Sequence, residues 1–208
     1  MKLYFSPGAC CMSCHIALVE AKIPFDLVYA GKKMDAQAKE SFLKLNPLGA
    51  VPTLALAEGR VLTQNIAILE YIADQKPESH LLPKVGSYER ADVMRWLSFV
   101  ASDLHKAFSP LFRLTQISQH ADAQHDIKNW CFATIEKYFS MLESHLTGKK
   151  FLTGDHFTIA DAYLFTVCRW TKAVSFPTEQ FPVLNKYIDT VASRPSVQSV
   201  LEREESYK

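Results

Sequence analysis

The sequence predicts two differently built halves, an α/β domain of order β-α-β-α-β-β-α followed by an all-helical domain. Three observations carry that expectation. Short apolar runs alternate with amphipathic stretches through residues 1–76. A polar, proline-punctuated connector then spans residues 77–86, where Pro77-Glu78-Ser79 and Leu82-Pro83-Lys84 interrupt both periods. Beyond it, over residues 87–208, only the helical period recurs.

Lys2–Phe5 is a short apolar strand and Pro7-Gly8 its turn. Cys11–Ala21 follows as a helix, with Ile16, Leu18 and Val19 beginning its apolar face. Asp26–Tyr29 reads as a strand and Ala36–Leu45 as a helix. Thr53–Ala57 and Arg60–Leu62 flank Glu58-Gly59 as a hairpin. Asn65 opens a helix carrying Ile66, Leu69, Ile72 and Ala73 on one face. A single sheet layer needs helices to cover it, and this order is thioredoxin-like. The second half reads as helices over Ser87–Leu114, Asp122–Thr147, Thr158–Ala173, Pro182–Ser193 and Ser196–Glu204. Thr158 and Asp161 have the spacing of a capping box, a folding device with Asp in the place of Glu.

The 208 residues are 48% hydrophobic, enough for a substantial core. With 23 basic against 22 acidic side chains and no long run of either sign, electrostatic binding to nucleic acid or to an anionic membrane is not expected. The expected partner is a small molecule or another protein. Neither an export signal nor a membrane span is expected. Five cysteines, three of them at one turn, argue against a disulfide framework and for a reducing cytoplasm.

Those three cysteines define the first candidate site. Cys10 lies at the turn where a helix begins, and unpaired N–H groups and the positive dipole end favour thiolate there. An ordinary thiol pKa of about 8.5 is then expected to fall toward or below neutrality. Cys11-Met12-Ser13-Cys14-His15 also matches the c-type haem pattern, which is set aside because such haem belongs to exported proteins. Cys11 and Cys14 have redox-pair spacing as well, against the alternative of two small packed helix residues. Cys131 and Cys168 are expected in the core, and no metal-ligand spacing stands out.

Other residues suggest a binding surface. Val51 precedes Pro52, and X-Pro is the one bond where a cis peptide is cheap. A cis bond there turns the Val51 N–H and C=O outward to pair with an extended peptide. Gln64 and Asn65 stand at a helix N-terminus suited to a carboxylate, though Asn65 can also act as a plain cap. On the Ser87–Leu114 helix, Val93, Trp96, Leu97, Val100, Leu104 and Phe108 form an apolar face. Ser98, Ser102, His105 and Ser109 form a polar stripe that would ordinarily face solvent.

Four pieces carry a resemblance: Cys10 after Ser6-Pro7-Gly8; Asn46-Pro47-Leu48-Gly49-Ala50-Val51-Pro52-Thr53-Leu54; Leu62-Thr63-Gln64-Asn65-Ile66-Ala67-Ile68; and Thr158-Ile159-Ala160-Asp161. Together they resemble the cytosolic glutathione transferases. The cysteine at the turn and His105-Lys106 bring the chain nearest the bacterial beta class. The resemblance implies the glutathione transferase fold, a homodimer, and glutathione as co-substrate without metal or haem. It implies catalytic roles for Cys10 and His105. Val51, Pro52, Gln64, Asn65, Ser98, Ser102, Lys106 and Lys33 would surround glutathione, with Ser102 reaching the partner's ligand. Phe108, Phe112 and Trp170 are candidates for the apolar pocket of a small electrophile, against the alternative that aromatics at helical spacing belong to the core. The implied chemistry is conjugation of the glutathione thiolate, in detoxification, or Cys10-dependent redox exchange. A binding or regulatory protein on the same fold is the alternative. Gln64 stands where the family has an acidic residue, which predicts weaker or altered glutathione binding.

Overall fold

The computed structural model describes residues 1–207. Strands β1 (Lys2–Phe5), β2 (Asp26–Tyr29), β3 (Thr53–Ala55) and β4 (Val61–Thr63) form one sheet of order β2-β1-β3-β4. β1 pairs parallel with β2 and antiparallel with β3, and β3 pairs antiparallel with β4. The parallel pair needs a crossover, which α1 (Met12–Glu20) supplies. Alternation along β1 sends Leu3 and Phe5 into the core, while Tyr4 stacks on Phe42 of α2 (Ala36–Leu45) at 5.3 Å. The β3–β4 hairpin turns through Glu58 and Gly59, both at positive φ (60° and 73°). Its strands end two residues earlier and start one later than expected, because that turn is wider.

Every residue of α1 from Met12 to Leu18 is buried. The cause is its neighbours: α3 (Asn65–Gln75) lies on one side, and α8 (Ile159–Cys168) and α11 (Pro195–Glu205) lie on the other. One continuous apolar core therefore runs from Leu3 and Leu54 of the sheet to Phe139 and Leu142 of α7 (Ala121–Leu146). Polar ties reinforce it. Arg90 reaches Glu70 and Asp74, each at 2.8 Å, and Arg194 holds Glu20 at 2.7 and 2.9 Å.

The expected single helix over Ser87–Leu114 is instead a rod of changing pitch. α4 (Tyr88–Phe99) passes into a π-helical segment, Val100–Leu104, where the His105 N–H bonds to the Val100 carbonyl five residues back. α5 (His105–Phe108) follows, then a 3₁₀ turn over Ser109–Phe112 that contains Pro110, which has no N–H to continue the ladder. The separate α6 (Leu114–Ile117) comes next. The expected Thr158–Ala173 helix likewise divides at Arg169 into α8 and α9 (Trp170–Val174). α10 (Pro182–Ala192) precedes α11. The Asp161 carboxyl does more than cap: it accepts from the N–H and hydroxyl of Thr158, the Leu152 N–H, and the Tyr187 hydroxyl. Among the described residues, no helix is long and apolar enough to cross a membrane.

Candidate active site

The turn between β1 and α1 is held by the helical half of the chain. Gly8, at φ +73°, donates its N–H to Glu204 Oε2 at 2.9 Å, and its carbonyl accepts the Trp170 indole N–H at 2.8 Å. Cys10 lies two residues before the first helical residue, Met12, and is partly exposed. Its Sγ donates to the Val51 carbonyl at 3.4 Å. Burial pushes the thiol up to about 11, and the backbone N–H groups of Cys10 and Cys11 recover only part of that. The expected drop toward neutrality is thus overturned. Desolvation outweighs the helix start, and a thiol that donates to a carbonyl is held in its protonated form.

Cys11 and Cys14 are fully buried. Cys11 donates to the Ser6 carbonyl at 3.3 Å, and Cys14 to Asn65 Oδ1 at 3.2 Å. Burial raises both thiols well above the ordinary value. His15 is also buried, with Nδ1 3.0 Å from Glu204 Oε1.

The Val51-Pro52 bond is cis. Its carbonyl meets Cys10, so the peptide edge and the thiol converge. Gln64 has φ +73° and ψ 124°, a conformation that costs a non-glycine residue about 1–3 kcal/mol. Its side chain is exposed at the start of α3 and makes no cap bond. Asn65 corrects the expectation made for it. Its side chain turns inward, donating to Ser13 Oγ at 2.9 Å and accepting from Cys14, so only its backbone is left at the helix start.

His105 is half-buried, with Nδ1 2.7 Å from the Tyr163 hydroxyl and its ring edge-on to Trp170 at 4.7 Å. Burial, with Lys106 beside it, pushes the imidazole down to about 4, so the ring is neutral at pH 7. Trp170 also packs on Phe108 and Phe112. Phe108 is wholly buried, which makes it core rather than lining. Phe112 is exposed. Ser98 and Ser102 are exposed, their hydroxyls bonded to the Met94 and Ser98 carbonyls, and Ser102 also to Asp103. Lys106 is exposed, and the Lys33 N–H bonds to the Tyr29 hydroxyl at 3.2 Å on the surface.

Two family models match this chain, the glutathione S-transferase N-terminal domain over residues 7–75 and the C-terminal domain over residues 104–195. Glutathione S-transferase GstA of Escherichia coli is 38% identical over 98% of both chains. The chain belongs to the glutathione S-transferase family. Among solved members, a sphingomonad glutathione S-transferase complexed with glutathione superposes with a TM-score of 0.87 at 37% identity, covering 99% of each chain. A bacterial beta class glutathione S-transferase of Sphingomonas chungbukensis gives 0.86 at 38%, over 98% of each.

Within this glutathione S-transferase chain, sequence reasoning missed Tyr163 and Glu204. A tyrosine inside the largely apolar α8 run was the available signal for the first, because a buried phenol needs a partner. Glu204 carried none, since an acid near a chain end ordinarily faces water.

Proposed function

We propose that this protein is a glutathione transferase, with residues 1–76 binding glutathione, 77–86 as linker, and 87–208 as the helical domain. Glutathione would lie extended along Val51 and Pro52, its γ-glutamyl carboxylate at the start of α3 beside Gln64 and Asn65, and Lys33 nearby. Its sulfur would meet Cys10 and His105. The observation that carries this reading is the 3.4 Å contact between Cys10 Sγ and the Val51 carbonyl, which brings a sulfur-binding group to a peptide-binding edge.

In conjugation, the bound thiol loses its proton to solvent, the thiolate attacks the electrophile, and the leaving group departs with its electron pair. A protonated Cys10 suits the supporting part, as a donor to the glutathione sulfur. In exchange, Cys10 thiolate attacks a glutathione mixed disulfide, forms Cys10–glutathione and expels the other thiolate. A second glutathione then regenerates Cys10 and leaves as glutathione disulfide. A thiol pKa of about 11 favours conjugation as the main activity at neutral pH. Phe112 and Trp170 would border the electrophile.

The active form is proposed as a cytoplasmic homodimer, with Ser98 and Lys106 at the glutathione site and Ser102 reaching the partner's glutathione. Five free cysteines fit a reducing compartment. Calorimetry with reduced glutathione and turnover of 1-chloro-2,4-dinitrobenzene test the reading, and light scattering tests the dimer. Neither heat nor turnover at millimolar glutathione would favour a non-enzymatic role.

A further inference from the structure

We infer that Tyr163 is a positioning residue that fixes the imidazole proton of His105 on Nε2, making the ring a hydrogen-bond donor to the glutathione sulfur rather than a base. The inference rests on the proposal that His105 faces that sulfur.

The geometry allows two proton arrangements across the 2.7 Å contact between Tyr163 Oη and His105 Nδ1. If Nδ1–H donated to the phenol oxygen, the phenolic proton would be left buried. Tyr163 is 2% exposed, and among the described residues its hydroxyl has no second partner. If the phenol donates instead, one bond satisfies both atoms. A neutral imidazole carries a single proton, which must then sit on Nε2. Among the described residues Nε2 has no hydrogen-bond partner, so it is the nitrogen available to a ligand.

The ring is fixed in orientation as well as in tautomer. Trp170 lies edge-on to it at 77°, and the same indole is pinned to the Gly8 carbonyl of the cysteine turn. The wide π-helical turn ends at His105 itself and sets its azimuth on the rod. Burial, and after it any negative charge on Cys10 or Cys14, makes the Tyr163 phenol harder to ionise, so the lock persists beside a thiolate. An Nε2–H cannot accept the thiol proton. It steadies the thiolate while the proton leaves to water.

The test combines a spectrum with a kinetic cycle. Protein labelled with ¹⁵N-histidine, observed at pH 7 with reduced glutathione, reports the tautomer of His105, whose signal is identified by its loss in H105Q. The expected spectrum has a bare Nδ1 and a protonated Nε2, and Tyr163→Phe releases this into a tautomer mixture. A proton on Nδ1 in the unaltered protein overturns the inference. Tyr163→Phe should slow conjugation of 1-chloro-2,4-dinitrobenzene about five- to tenfold, the worth of about one hydrogen bond. A glutamine amide has no tautomers, so in the H105Q background the added loss should be less than about twofold. Equal losses in both backgrounds mean that Tyr163 acts only through packing, which overturns the inference. If the tautomer is as stated but His105→Ala keeps the full rate, the reading of His105 at the sulfur falls, and the functional part of the inference falls with it.

Discussion

Replacing Glu204 by alanine should loosen the cysteine turn as well as the fold. The residue is 1% exposed and joins two donors, the part-buried Gly8 N–H at 2.9 Å and the buried His15 Nδ1 at 3.0 Å. His15 Nε2 already lacks a partner, so the variant leaves that ring wholly unpaired in the core. At about 2 kcal/mol for each orphaned group, the loss is about 4 kcal/mol. A domain of this size moves by about 2–4 °C per kcal/mol, which predicts a fall of about 8–16 °C in Tm. Glu204→Gln keeps one acceptor oxygen and should lose roughly half as much. Calorimetric unfolding reads the stability. The rate of Cys10 alkylation by iodoacetamide at pH 9 reads the turn, and it should rise in the alanine variant. A loss below about 1 kcal/mol with unchanged Cys10 reactivity would refute the reasoning that α11 holds this turn.

Cys10 of the ligand-free protein should alkylate slowly at pH 7, where a pKa of about 11 leaves roughly one thiolate in ten thousand. Its rate should climb about tenfold per pH unit to pH 10, and a plateau below pH 8 would contradict this. Gln64→Glu should tighten glutathione about three- to tenfold in calorimetry, because a charged acceptor meets the ligand ammonium; unchanged or weaker binding speaks against the placement of the γ-glutamyl group. Cys14→Ala should cost about 1–2 kcal/mol through the lost contact with Asn65 and a small cavity, while the glutathione adduct at Cys10 still forms. Loss of that adduct would restore the Cys11/Cys14 redox-pair reading.

Local chemistry made much of the fold legible. Turn residues at Pro7-Gly8 and Glu58-Gly59, the short apolar run of β1 and the Thr158/Asp161 spacing all act over a few residues, and each formed where expected. What was not legible depends on distant parts of the chain. The dipole argument for Cys10 used its own turn, whereas the desolvation that outweighs it comes from the burial of that turn, against which Trp170 and Glu204 pack. Asn65 reads as a cap until Ser13 and Cys14 of another helix draw its side chain inward. Phe108 shares spacing and chemistry with Phe112, and only packing makes one core and the other surface. The π-helical segment before His105 has no residue signature at all, since Val100–Leu104 suits an α-helix equally well.

The central claim is that glutathione binds with its sulfur against Cys10. Mass spectrometry of the protein incubated with glutathione disulfide at pH 9, followed by peptide mapping, tests it most directly. The account predicts one glutathionyl group per chain, removed by reductant and confined to Cys10. An adduct on Cys11 or Cys14 with Cys10 free, or none while Cys10 alkylates normally, would contradict it.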